Sequence, residues 1–308
     1  QARFLANDFM PSHVESACGL RDAAGITNLT ILPDSFADLA ARGDLPPCDF
    51  IVAHGIFSWV SAENQAHILT IVRRLLKPGG LFYVSYNSAV GWAGMGALRQ
   101  FLVAQVEQDQ GPLIGRLGRA LDRAALFAQA GQGIPTLDGL AHLVQALRQE
   151  DPAYLVHEYL NANWQPLYPT QVTAMMMGAG LSPVGPVQLA DTMDATAWPP
   201  TLRPFMADHA AGPLRELMGD IAVNRSFRGD LYGRDVQRLA DGDLARQRDA
   251  ARFTLAAPAG QCQPLAARPF HMVPLDPAAH AAILDRLGAG TTDLGTLRAL
   301  PAVRVLGP

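Results

Sequence analysis

The sequence predicts an α/β protein: a doubly wound, mostly parallel sheet, then a mainly helical accessory region and a small α+β C-terminal domain. Three observations predict it. The first is the run from Cys48 to Trp92, where an apolar strand ends in Ala53-His54-Gly55, a helix follows, and Pro78-Gly79-Gly80 leads into a second apolar strand ending in Tyr86-Asn87. Such a strand–helix–strand unit belongs to parallel sheets. The second is that shorter strand and helix patterns alternate ahead of it. The third is the change of character after Trp92, where helical spacing recurs to about Gln149 with breaks only at Gly111-Pro112 and Gly133-Ile134-Pro135.

In chain order, residues 3–9 predict a short strand closed by Asn7-Asp8. Pro11 suits the first turn of the next helix, where its missing N–H costs nothing. Asn28 to Leu32 alternates like a half-buried strand and Pro33-Asp34-Ser35 stops it. Phe36 opens a short helix through Ala41. Ser61 can cap the following helix, with Glu63 placed well against its dipole. Ile68, Ile71, Val72, Leu75 and Leu76 form one apolar stripe at helical spacing. Arg73, Arg74 and Lys77 read as a solvated face. Leu81 to Ser85 is the next strand. Beyond it, residues 170–177, a span from Leu202 to Arg234 and residues 277–287 read as helical, and Leu181 to Gly185 is strand-like. The boundaries drawn from this pattern are 1–105, 106–240 and 241–308. Arg3 to Ala6 already looks like strand and no Gly-x-Gly precedes Asp8, so the first strand of the sheet and its glycine loop are expected upstream of Gln1.

Composition narrows the function. A net charge of -4 with no basic run argues against a nucleic-acid surface. Apolar stretches fall short of a membrane span, and the hydrophobic fraction of 49% suits a packed core. The three cysteines are widely spaced, with no zinc pattern and no disulfide framework, so reduced buried thiols in a cytoplasmic protein and no metal are expected. There is no GxSxG elbow, Walker loop or HExxH.

What remains is a site outside the carboxyl ends of the strands, where open α/β sheets bind ligands. Asp8 there suits two tasks, accepting ribose hydroxyls or closing a loop against a helix start. Asp34 can accept from an adenine amino group with Phe36 against the ring; equally, Asp-Ser-Phe is a good helix start. Gly55 lets a ligand approach the backbone, and His54 can orient a substrate or serve as a base, or simply be structural. Trp59, Tyr86, Asn87 and Trp92 supply aromatic walls with polar tips, able to hold a sulfonium or alkylammonium, or only to cover the sheet edge. The aromatic segments 154–159 and 164–168 read mainly as inter-domain packing.

The order of these motifs resembles the class I S-adenosylmethionine-dependent methyltransferases, more narrowly the bacterial ones that carry a methyltransferase regulatory domain. The resembling segments are residues 7–13, 27–36, 49–59 and 76–87. His157-Glu158-Tyr159-Leu160-Asn161 with Trp164-Gln165-Pro166-Leu167-Tyr168 is similar to the opening of the regulatory domain, and Asn224-Arg225-Ser226-Phe227-Arg228 to its close. The resemblance implies a Rossmann-like fold and S-adenosyl-L-methionine as cofactor. Asp8 and Phe9 would meet the ribose; Asp34, Ser35 and Phe36 the adenine; and His54, Gly55 and Ile56 the methionine end. Trp59, Tyr86 and Trp92 would then face the methyl acceptor, with His54, Tyr86 and Asn87 aligning or deprotonating it. Some members of this group methylate lysines of bacterial surface proteins, which implies a protein acceptor. The alternatives are a small-molecule methyltransferase and a non-enzymatic binding or scaffold protein that kept the fold; a homodimer stays open.

Overall fold

A computed structural model describes residues 2–130, 135–263, 265–267 and 272–306, so Gly133 and Ile134 lie outside this description. The chain forms two compact units, residues 1–188 with 211–235, and residues 189–210 with 236–308.

The first unit opens with β1 (Phe4–Asn7), α1 (Pro11–Ala23), β2 (Leu29–Leu32), α2 (Phe36–Ala41), β3 (Cys48–Ala53), α3 (Ala62–Leu75) and β4 (Leu76–Asn87). Local chemistry explains the helix starts. Pro11 occupies the first turn of α1, and the Ser35 and Ser61 hydroxyls accept the N–H groups of Asp38 and Asn64 to begin α2 and α3. β1 pairs in parallel with β2, and β3 in parallel with β4.

Four helices follow: α4 (Ala89–Trp92), α5 (Met95–Gln108), α6 (Leu113–Ala130) and α7 (Pro135–Leu147). Then come α8 (Pro152–Leu160), α9 (Pro169–Gly178) and β5 (Ser182–Pro186). Residues 189–210, in the second unit, carry α10 (Asp194–Ala197) and α11 (Arg203–Ala207); the chain returns with α12 (Pro213–Val223) and β6 (Phe227–Gly233). β6 corrects the expected helical span up to Arg234. It lies antiparallel between β4 and β5, giving the sheet order β3-β4-β6-β5. The parallel strands are thus extended by an antiparallel pair from much later in the chain. Asn224 ends α12 in the left-handed conformation (φ 46°), and the strand starts three residues on.

Among the described residues two large cores and one smaller apolar cluster organise this unit. Phe82, Val84 and Tyr86 on one face of β4 join Ile68 and Val72 of α3, Val172 and Met176 of α9, and Tyr232 of β6. A second core packs α5, α6, α7 and α8 through Leu98, Leu102, Leu117, Leu121, Val144 and Leu155. Helix packing of this kind needs an apolar stripe on every partner, which the helical spacing after Trp92 supplies.

The second unit continues with α13 (Asp241–Asp249), β7 (Arg252–Phe253), β8 (Leu265–Ala267), β9 (Met272–Pro274), α14 (Pro277–Gly288), β10 (Thr292–Asp293), α15 (Leu294–Arg298) and α16 (Pro301–Arg304). β7 pairs with β10 and β8 with β9, both antiparallel. Asp276 and Asp293 cap α14 and α15 through their carboxylates. Cys18, Cys48 and Cys262 are all free and half-buried, less enclosed than the sequence suggested. Among the described residues no helix is long and apolar enough to cross a membrane.

Candidate active site at the strand ends

The candidate residues follow the carboxyl ends of β1 to β4. Asp8, after β1, accepts the Met10 N–H at 2.8 Å on Oδ1, and its Oδ2 lies 3.0 Å from His13 Nδ1. The Met10 N–H is the main reason that its carboxyl sits below the usual range, with His13 adding to the effect. Asp8 is thus ionised and fixed in direction, and each oxygen keeps a second lone pair. Phe9 beside it is 65% exposed. The Asn7 amide donates to the Asp34 carbonyl at 3.1 Å, which ties the end of β1 to the end of β2.

Asp34 gives Oδ2 to Arg42 at 2.7 Å, and its Oδ1 has no partner among the described residues. Ser35 is occupied as the cap of α2, also donating its hydroxyl to Asp38 Oδ2 at 2.6 Å. Phe36 packs against the sheet core and against the smaller cluster of Leu32, Leu39 and Ile71, so it bridges the two pairs of parallel strands.

His54, after β3, is held by residues that sequence reasoning passed over. Its Nδ1 lies 2.9 Å from the Tyr83 hydroxyl and 3.4 Å from Ser85 Oγ. Its ring stacks on Tyr83, with centroids 5.7 Å apart, and meets the edge of Phe227 at 6.2 Å. Ser85 also accepts the Gly55 N–H at 2.7 Å. Tyr83 and Ser85 share one face of β4, the opposite one to Phe82, Val84 and Tyr86. On that face β6 presents Gly229, where a Cβ would fall 3.0 Å from the Tyr83 ring, so the glycine makes room for the ring that steadies His54. Nε2 of His54 has no partner among the described residues. Gly55 has φ +64°, a conformation favouring glycine, and a Cβ there would meet nothing within 4 Å. The rim is open beside His54. Ile56 packs inward against the core.

Tyr86 is not at the mouth where the sequence placed it. It is 1% exposed and donates its hydroxyl to Asp230 Oδ2 at 2.8 Å. Burial, then the Asp230 charge, push its phenol well above the ordinary range, so it stays a neutral donor. Asp230 belongs to a buried ionic cluster around Arg228. That guanidinium reaches Asp220 at 2.6 Å, Glu216 at 2.7 Å, and both oxygens of Asp230 at 3.0 and 2.9 Å. Burial alone would weaken the Arg228 charge; its carboxylate partners reverse this and raise it. Ser88 donates to Asp220 Oδ2 at 2.8 Å, so the cluster anchors both ends of the Tyr86–Ser88 rim.

Asn87 lies at the mouth but is largely enclosed. Its backbone N–H donates to Ser58 Oγ at 2.9 Å, and its side chain donates to Glu158 Oε1 at 3.2 Å. Trp59 packs edge-on against His157, with centroids 5.2 Å apart. Trp92 donates Nε1 to the Ser226 carbonyl at 3.0 Å and lies against Tyr159 and Trp164 at 5.8 and 5.7 Å. The two aromatic segments therefore build the rim of this unit, packing His157, Tyr159 and Trp164 against Trp59 and Trp92 as the sequence suggested. A pocket of about 240 Å³, lined by Leu117, Leu121, Leu147 and Leu155, lies among the helices, away from these strand ends.

Residues 151–234 match the family described as predicted methyltransferase regulatory domain. Over 299 residues the chain is 30% identical to the uncharacterized protein sll1526 of Synechocystis sp., covering 97% of this chain and 59% of that protein. A stretch of 59 residues is 41% identical to the uncharacterized protein RP028 of Rickettsia prowazekii, 19% of this chain and 24% of that one. Among solved structures, PKMT2 from Rickettsia typhi superposes on 99% of this chain and 61% of its own, with a TM-score of 0.74 and 21% identity. The same protein in complex with AdoHcy gives a TM-score of 0.73. The chain spans about three fifths of the length of these long matches (59% and 61%). Its fold is the Rossmann-like one that it shares with PKMT2. The segment that the sequence likened to a methyltransferase regulatory domain, from His157 to Arg228, falls inside the 151–234 match.

Proposed function

We propose that the protein is an S-adenosylmethionine-dependent methyltransferase acting on a lysine side chain of a protein. One observation carries the reading: in a fold shared with PKMT2, an ionised Asp8 and then Asp34 follow the carboxyl ends of one parallel strand pair, and the open His54-Gly55 corner follows that of the other. The residues fit a sulfonium nucleoside. Asp8 has lone pairs for the ribose hydroxyls, Asp34 Oδ1 for the adenine amino group, and Phe36 flanks that position. Bound there, the cofactor would supply a methyl carbon made electrophilic by the positive sulfur.

The remaining chemistry belongs to the chain. Tyr83 and Ser85 hold the Nδ1 edge of His54, leaving Nε2 to face the acceptor. Asn87 and Trp59 shape the path by which the acceptor arrives, and Tyr86 fixes that path from within the core. Methyl transfer to an amine is an in-line displacement governed by positioning, which suits a rim built from so many cross-linked side chains.

Calorimetry on the full-length protein tests the cofactor, with S-adenosylmethionine and S-adenosylhomocysteine expected to bind. No heat at millimolar nucleoside refutes the reading. Labelled methyl transfer into a fractionated lysate tests the acceptor. Label in lysine residues supports it, and label confined to small molecules replaces the protein acceptor with a metabolite.

A further inference from the structure

Three consecutive residues of α8 each grip a different part of the rim. His157 meets Trp59 after β3, Glu158 accepts from Asn87 at the end of β4, and Tyr159 lies against Trp92 of α4. Glu158 stands out among them. Its carboxylate is half-buried, and its single hydrogen bond among the described residues is the neutral Asn87 amide at 3.2 Å. No arginine or lysine among the described residues pairs with it, whereas Asp220 and Asp230 each meet a guanidinium. A half-buried carboxylate without a cation is expensive unless something else supplies the charge.

We infer that Glu158 is the anionic anchor for the acceptor's ammonium group, received beside Asn87 and between the Trp59 and Trp92 walls. This rests on the methyltransferase reading above and specifies its acceptor as a primary alkylammonium. The placement is that of a recognition site, because Asn87 fixes one carboxylate oxygen and leaves the other free to meet a cation. Flanking indoles add attraction for an alkylammonium stem and head. The local chemistry agrees: burial pushes the Glu158 carboxyl above its usual range, only partly offset by Asn87 and His157, so its ionised form gains most when a positive charge arrives. The competing account is a tether, in which Glu158 merely holds α8 to β4.

Glu158→Gln separates the two, since the glutamine carbonyl still accepts from Asn87 while the charge is gone. The probes are n-butylammonium, which carries the head of a lysine side chain, and uncharged n-butanol, titrated calorimetrically into the full-length protein with S-adenosylhomocysteine present. Wild type is expected to prefer the ammonium by about tenfold, and Glu158→Gln to abolish that preference. Equal binding of the two probes by wild type overturns the inference, as does a preference that survives in Glu158→Gln. Thermal unfolding of the variant near the wild-type temperature shows that the loss is not one of folding. Failure of wild type to bind S-adenosylhomocysteine instead sinks the methyltransferase reading, whatever the ammonium does.

Discussion

Replacing Arg228 by Met tests whether the ionic cluster holds the first unit together. Arg228 is 5% exposed, and Met keeps most of its volume while removing four hydrogen bonds and the charge. The two buried carboxylates are not left equally exposed to the loss. Asp220 retains Arg225 Nε at 3.0 Å and the Ser88 hydroxyl, whereas Asp230 retains, among the described residues, only the neutral Tyr86 hydroxyl. Breaking a buried pair from one side costs about 3–5 kcal/mol, because a charge stays behind without its counter-charge. For a unit of this size each kcal/mol lowers the midpoint by roughly 2–4 °C, so a fall of about 6–20 °C is expected in a thermal melt followed by circular dichroism. Adding Asp230→Asn to Arg228→Met should recover about 2 kcal/mol, and adding Asp220→Asn distinctly less. A melt of Arg228→Met within about 2 °C of wild type, or equal rescue by both asparagines, refutes the reasoning.

Gly91→Ala should destabilise by about 1–3 kcal/mol in urea titration, because its Cβ would fall 2.5 Å from the Arg225 carbonyl oxygen, a backbone atom. An unchanged urea midpoint would mean that the α4 backbone shifts freely. Asp8→Asn keeps an acceptor for the Met10 N–H but loses the charge, and should weaken S-adenosylmethionine binding about tenfold in calorimetry; unchanged affinity removes Asp8 from the cofactor site. Asp109 contributes a pH-dependent term. The Arg119 side chain, and then the Gln110 N–H, hold its carboxyl at about 2. A depressed acid stabilises the fold above its unfolded value near 3.8 and loses that contribution as pH falls toward about 2. Asp109→Asn should therefore flatten stability against pH in that window, and an identical profile would contradict the assignment.

The parallel half of the sheet was legible in the sequence because its strands obey simple rules. Cys48 to Ala53 and Leu81 to Asn87 are apolar runs closed by polar residues, and Ser61 caps α3 as its position suggested. β6 was hidden for the opposite reason. Its buried side chains are those of Arg228, Asp230 and Tyr232, so an alternation normally read from apolar residues is carried by two charged ones and a tyrosine. Only their mutual pairing makes such burial tolerable, and pairing across α12 and β6 is invisible in one dimension. Tyr86 misled similarly: a tyrosine at a strand end suggests a mouth, yet its partner Asp230 lies 144 residues away. Tyr83 and Ser85 had a readable signal, since they alternate with Phe82, Val84 and Tyr86 and so had to face the other side of β4. Glu158 stood within a recognised motif, but its separation from any cation emerges only in three dimensions.

The grip of α8 on three rim elements has a mechanical consequence. A helix held at one point can roll about its axis; one pinned through adjacent residues on diverging sides cannot. Turning α8 by a single residue, about 100°, would swing all three side chains off their partners together. The first turns of the 151–234 segment are thus keyed to the strand ends like a bit in a lock, and whatever displaces them must disengage Trp59, Asn87 and Trp92 in the same motion.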